Sequence, residues 1–514
     1  MAAVDKIASN ATNCRYAEEL TPGSLPTSPA PTWLQLEPNS YGKFGGDYKL
    51  VARNPINSSR QRKKGVITDL DAAADFESDI TQENMQDLFQ GFFLADLRTK
   101  AELACATVGT SSFTVASGGA GFKANDILAS KGFDAAANNG YHVVASSPAP
   151  SGTVITHTGS PAATVAATGQ SGTISRGGHK FGASDAAINV TGAFPKLTTS
   201  AKDLTELGLI VGEWVWIGGD NATNAFATQV SGFARVRSIA AHAIEFDKSS
   251  MDMVADAGSG KQVMIFFGRV LKNEAAALQV QRTYQLERTL GAPDDSLPSQ
   301  IQSEYLVGAF PDEFELTYAV ADILKAKLVF SGQTHETRTG AVGVKTGSRP
   351  TLLDSDAFNA SSDVKRIKLA LVDDTDTAPL PLFAFVTDMK LSIKNNVAQN
   401  KAVGRLGSIG ATPGTFEVGG TLTAYFADVE AINSVVDNAD ITLDVHCVKA
   451  NKGITIDFPL VALGGGQADV KQDEAIKIPF DIQAATAAKI STNLDYTCLM
   501  CFFDYLPDLA EELS

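Results

Sequence analysis

Along this chain, apolar and polar side chains alternate with a period of two in five stretches: EFELTY (313–318), MKLSIK (389–394), ITLDVHCV (441–448), ITIDF (454–458) and IKIPFDI (476–482). Alternation places one side of a strand in a core and leaves the other in solvent, so each is expected to be a strand with one buried face. The period changes to that of a helix at 81–97, where Met85, Leu88, Phe89, Phe92 and Phe93 recur on one side. These residues predict an amphipathic helix, capped by Asp79 or Thr81, whose aromatic face packs on a sheet. A second short helix is expected from Val429, Ile432, Val435 and Val436, after a strand TLTAYF (421–426). The order strand, acidic turn, helix thus occurs near 66–97 and again near 416–438, which suggests two pseudo-repeated halves.

Composition adds a boundary. Only eight residues between 106 and 200 are charged, and Gly, Ala, Ser and Thr dominate there, the mark of short strands and many turns. Within this region and just after it, NDILASKGFDAAANNGYHVVAS (125–146) and GEWVWIGGDNATNAFATQVSGFARVRS (212–238) share a strand–turn–strand pattern, read as two copies of a small β module. The expected organisation is an extended Pro-rich arm (1–30), a first half (31–104 and 271–340), inserted modules (105–200 and 201–270), a linker (341–380) and a second half (381–514).

The net charge of −16 excludes a general nucleic-acid binder, which needs a clustered positive surface. It suits a surface past which a polyanion slides without sticking. Locally the charges are sorted. Arg53, Arg60, Arg62, Lys63 and Lys64 form a basic block with no acid, and Asp69, Asp71, Asp75, Glu77 and Asp79 follow with no base. Three readings stand: the basic block pairs with the acidic block of a neighbouring subunit, contacts DNA, or is a solvated loop. The first is favoured.

Candidate chemistry is sparse. Cys498 and Cys501 (CLMC) could begin a metal site only with Cys447 and His446, and their apolar neighbours favour buried thiols. The six histidines are dispersed, and the glycine pairs lack the Lys and Ser/Thr of a phosphate loop, so no catalytic residue, cofactor or metal is expected. Trp214, Trp216 and Tyr141 are candidates for a sugar-stacking surface, with core packing favoured. The start has no secretory-signal pattern and no apolar run approaches a membrane span. A protein made in the cytoplasm, without membrane insertion, is expected.

The segment from Trp33 to Phe93, preceded by RYAEELTPGSLPTSPAPT, resembles the N-terminal part of tail tube proteins of phages with long non-contractile tails, and LGSIGATPGTFEVGGTLTAYFADVEAI (406–432) is similar to a later strand-to-helix passage of that family. The resemblance implies a mainly β fold: an antiparallel β-sandwich/barrel with flanking short helices, its inner strands joining neighbouring subunits around a lumen. It implies a structural virion protein, not an enzyme, that stacks in rings as the conduit for genome ejection. Implied partners are copies of itself, the tape measure protein, and the tail terminator and distal tail proteins, with genomic DNA passing unbound. If the two halves are a true repeat, three chains make a pseudo-sixfold ring; otherwise six are needed. The 105–270 region departs from the family pattern and is read as an insertion that decorates the exterior. A secreted or surface β-rich adhesin is the rival reading.

Overall fold

The computed structural model describes residues 7, 9–56, 58, 60–159, 162–226, 231–292, 300–352, 355–373, 376–383, 385–426 and 429–512. Residues 1–6 and 8 of the N-terminal arm, Asn57 and Ser59 of the basic loop, and 353–354 and 374–375 of the linker lie outside the described residues. Strands hold 49% of the chain and helices 8%, in large antiparallel sheets of the sandwich class. Among the described residues no sheet closes into a barrel, so the barrel expected from the resemblance is not formed within one chain.

Fourteen strands and two helices follow one plan, used twice. In chain order they are β1 (Asn13–Glu18), β2 (Pro38–Arg53), β3 (Lys63–Asp79), α1 (Gln86–Phe93), β4 (Tyr284–Gly291), β5 (Gln302–Ala319), β6 (Lys325–Gly332), β7 (Thr334–Thr339), β8 (Val364–Leu371), β9 (Val386–Lys394), β10 (Glu417–Tyr425), α2 (Glu430–Val436), β11 (Ile441–Lys449), β12 (Lys452–Gly465), β13 (Lys477–Ala484) and β14 (Leu499–Phe503). β1 pairs with β4, β4 with β5, β5 with β6 and β7, β6 with β3, and β3 with β2. Seven places on, β8 pairs with β11, β11 with β12, β12 with β13 and β14, β13 with β10, and β10 with β9. The registers agree as well. Thr317 faces Lys325 as Asp469 faces Lys477, and Phe310 faces Ser331 as Ala462 faces Gln483, with one constant offset at all four positions.

The insertion occupies the connection from α1 to β4, where the second half has only residues 437–440 between α2 and β11. Both segments read as separate modules contribute to one twelve-stranded sheet, whose central order runs Gly232–Ala240, Trp214–Gly218, Met264–Phe266, Ala167–Lys180 and Leu103–Val108.

Contacts divide the chain into two compact units. Unit 1 is Met1–Ala95, Leu278–Ala357 and Asp388–Gly420; unit 2 is Asp96–Ala277, Phe358–Thr387 and Thr421–Ser514. In unit 1, Leu88, Phe89, Phe92 and Phe93 of α1 are buried, as is Met85 just before it. Phe89 lies 4.6 Å from Phe314 and Phe92 5.3 Å from Phe330 between ring centroids, so the helix covers one face of the β3–β6–β5 sheet. Gly91 makes this close approach possible, since a Cβ there would lie 2.7 Å from both Pro311 and Tyr284. The helix is shorter than the period suggests. Thr81 bridges to Ala357 and its N–H donates to Asn84 Oδ1, Asp79 accepts from Asn39, and neither caps; Leu94, at φ 51°, ends the helix. The Pro-rich arm also holds β1, with Cys14, Tyr16 and Ala17 buried.

Unit 2 corrects a face assignment. Thr442, Asp444 and His446 of β11, read as the solvent side of an alternating strand, are all buried, because the inserted sheet packs on them. His446 stacks on Phe233 at 4.5 Å and meets Trp214 edge-on at 4.7 Å. Asp444 is ion-paired to Lys248 at 2.5 Å and Arg366 at 2.7 Å; burial raises its carboxyl, but these two cations pull it well below the usual range. Arg235 likewise reaches Asp247 at 2.8 Å and Asp457 at 3.2 Å. Buried charges persist where each has a close partner, and these do. Val429, just before α2, and Val436 at its end face solvent while Ala431 and Ser434 turn inward, because a seven-residue helix starting at 430 buries positions 431 and 434.

Candidate assembly surface

The five acidic residues Asp69, Asp71, Asp75, Glu77 and Asp79 are all odd-numbered, so β3 presents them on one side, opposite buried Leu70, Ala72, Ala74, Phe76 and Ser78. The neighbouring strands continue that side with charges in register. Asp79 faces Lys325, Glu77 faces Lys327, Lys327 faces Glu315, and Glu313 faces Lys394. Lys394 pairs with Glu313 at 3.0 Å and Lys390 with Glu315 at 3.2 Å, with Lys390 55% and Lys394 45% exposed. The face opposite α1 is therefore a chequered lattice in which Asp75, Glu77, Asp79, Glu313, Glu315 and Asp388 slightly outnumber Lys325, Lys327, Lys390 and Lys394.

The basic block lies elsewhere. Arg53, Arg60, Arg62, Lys63 and Lys64 are all exposed at the far end of the β2–β3 hairpin, with Arg53 directly opposite Lys63. Next to them Leu50 faces Ile67 and Val51 faces Val66, and all four side chains are at least half exposed. Among the described residues no ion pair joins the basic block to the acidic block. Asp69 and Asp71 are held instead by Lys401, at 2.7 and 2.5 Å, and by Lys49. Their carboxyls are lowered, above all through the hydrogen bonds from Lys401. Lys401 lies on a small hairpin, Ala398–Lys401 with Ser408–Thr412, carried between β9 and β10. Sequence reading missed it because a lone lysine in NKAVGR has no local pattern. Asp75 accepts from the Lys43 N–H, which also stays within the hairpin.

Other candidates resolve into core. Trp214 and Trp216 are fully buried and Tyr141 nearly so, which removes the aromatic surface on which sugar stacking rested. All five cysteines are free and buried, and burial pushes the Cys447 thiol up to about 12. Among the described residues no group of three His, Cys, Asp or Glu is arranged to hold a metal, and no helix is long and apolar enough to cross a membrane.

What converges here is a surface and not a cleft: an exposed hairpin, a charged sheet face, and a doubled all-β plan suited to a structural subunit. Residues 9–484 match the model of the family described as phage tail tube protein, a span that runs from just before β1 to the end of β13 and includes the insertion. The chain belongs to that family, and is a structural component of the virion tail in a family that builds its tube by self-assembly. No curated protein matches it.

Proposed function

We propose that copies of this chain close into rings, that the rings stack into a tube, and that the chequered face lines the lumen through which the genome is ejected. The observation that carries the reading is the asymmetry of the β3–β6–β5–β9 sheet: α1 seals one face with aromatic side chains, while the other sets half-buried and exposed charges in register, with Lys390–Glu315 and Lys394–Glu313 as ion pairs. Cations already neutralised by adjacent carboxylates bind phosphate poorly, and a small excess of acid keeps DNA moving. Because each chain holds the plan twice, three chains make a pseudo-sixfold ring, in preference to six. The tip carrying Arg53, Arg60, Arg62, Lys63 and Lys64 reaches an acidic surface of a neighbouring subunit, and its bare apolar pairs are covered there. The insertion stands on the tube exterior. The chain is made in the host cytoplasm, has no catalytic role, and meets the tape measure, tail terminator and distal tail proteins in the tail.

Two variants test this. Reversing Arg60, Arg62 and Lys63 to Glu blocks polymerisation at moderate salt, and normal tubes from that variant contradict the tip's role. Glu77→Lys with Glu315→Lys keeps the tube but slows DNA ejection; unchanged ejection places the lumen on another face.

A further inference from the structure

Unit 2 contains a small pocket. On one side are the inserted strands Gly232–Ala240 and Ala243–Ser249; on the other are the end of β8, the start of β11 and the loop that follows β8. Its volume is about 50 Å³, room for roughly three to five water-sized groups at about 10–15 Å³ each. Two bulges shape it. Arg235 pairs with Lys248, Val236 with Phe246 and Ser238 with Glu245, so Asp247 and Arg237 are each left out of the ladder. Both side chains line the pocket, and a bulge is a means of re-aiming a side chain in this way.

The cations around the pocket are not alike. Arg235 is held by Asp247 at 2.8 Å and Asp457 at 3.2 Å, and Lys248 by Asp444 at 2.5 Å and Thr442 Oγ1 at 2.7 Å. Arg237 lies over the Phe194 ring, 3.5 Å from its centroid, and its buried Nη1 has no hydrogen-bond partner among the described residues. Glu245 feels the Arg237 charge, but Lys196 at 2.7 Å and Ser238 at 2.8 Å already bind that carboxylate. Stacking occupies the face of a guanidinium and leaves its N–H edges, whose spacing matches the two oxygens of a carboxylate. A buried donor without an acceptor is costly, so an acceptor from outside the chain is favoured there. The other walls limit its charge. Thr377 and Ser491 add hydroxyl groups, while the exposed Asp373 and Asp376 also line the pocket and oppose a multiply charged anion such as sulfate or a DNA backbone.

We infer that this pocket binds a small free monocarboxylate, an ion the size of acetate, whose two oxygens meet the edge of the Arg237 guanidinium. The bound ion braces the insertion against the rest of unit 2, because Arg237 belongs to the insertion and Thr377 and Ser491 do not.

The test is calorimetric titration of the full chain with sodium acetate at neutral pH and fixed ionic strength, with sodium chloride as the baseline. Acetate is expected to bind and to raise the unfolding temperature above that in chloride; no binding heat and no shift overturn the site. Arg237→Gln weakens acetate about tenfold or more, as loss of a charge-assisted hydrogen-bonded pair requires, and unchanged affinity overturns the role of Arg237. Should that variant not fold, Arg237→Lys decides, since it keeps the charge and loses the paired N–H edge. It binds acetate several-fold more weakly, and equal affinity overturns the pocket. Sulfate, a dianion at neutral pH, binds several-fold more weakly than acetate; sulfate bound as tightly or more tightly overturns the monocarboxylate class. Acetate bound by the dilute chain but not by assembled tubes overturns the free ligand in favour of an acidic side chain from another copy.

Discussion

Lys401 Nζ lies 2.7 Å from Asp69 Oδ2, although 332 positions of sequence separate them. The bond ties the small hairpin between β9 and β10 to the acidic strand β3, so Asp69 finds its cation within its own chain. Replacing Lys401 by Ala removes the main cause that lowers the Asp69 and Asp71 carboxyls. Both then titrate closer to an ordinary aspartate, measured by NMR on carboxyl-labelled protein. The sign follows from linkage: carboxyls depressed in the fold add stability above their unfolded range and lose it as pH falls, so the variant unfolds less steeply in acid. Unchanged titration contradicts the assignment.

Gly91→Ala separates packing from propensity. Alanine is the better helix former, by about 1 kcal/mol. Yet its Cβ would enter Pro311 and Tyr284 at 2.7 Å, and overpacking of this kind costs about 1–3 kcal/mol. The variant is expected to melt lower than wild type in thermal unfolding. A higher melting temperature would show that α1 sits looser on the sheet than the distances say.

The inserted sheet carries an acid sensitivity. His142 and His157 lie 4.8 Å apart between ring centroids, and burial, with His157 beside it, holds His142 down to about 4. A histidine kept neutral in the fold resists protonation, so stability is full above its unfolded range near 6.5 and falls as pH drops from there toward 4. The loss is up to ~3 kcal/mol. His142→Phe flattens that part of the profile in denaturant unfolding measured at several pH values. A variant as pH-dependent as wild type rules out His142 as the source.

The insertion is not a detachable ornament in energetic terms. Leu499, Cys501 and Phe503 of β14 share a core with Trp214, Trp216, Phe233 and Phe266 of the inserted sheet, and Asp457 shares Arg235 with it. Deleting 106–268 exposes that core and strands buried charge, and removing one partner of such a pair alone costs about 3–5 kcal/mol. The deletion protein is expected to be insoluble. Soluble tubes from it would show that β11, β12 and β14 fold independently.

How far the sequence led depended on what each side of a strand touches. Residues 313–318 and 389–394 were legible because one side meets α1 or the core and the other meets water. Residues 441–448 were legible as a strand but not in their faces, since nothing local says that Asp444 and His446 meet Lys248, Arg366 and Phe233 from the insertion. The aromatic side of α1 could be read from its period, but its start could not, because Thr81 is taken by a bridge to Ala357. The repeat showed only as strand, acidic turn and helix. The matching registers that support it lie in non-local pairings such as Asp469 with Lys477, which no periodicity reveals. The contact of Lys401 with Asp69 was invisible for the same reason.

The central claim is that one chain carries two copies of a tube-building plan and closes rings of three. Electron cryomicroscopy of the purified protein, with ring mass measured on the same sample, tests it most directly. The account predicts tubes of stacked rings, near-sixfold in projection, each containing three chains. Rings of six chains would contradict the use of both halves in the wall, and a protein that stays monomeric at high concentration would contradict the assembly itself.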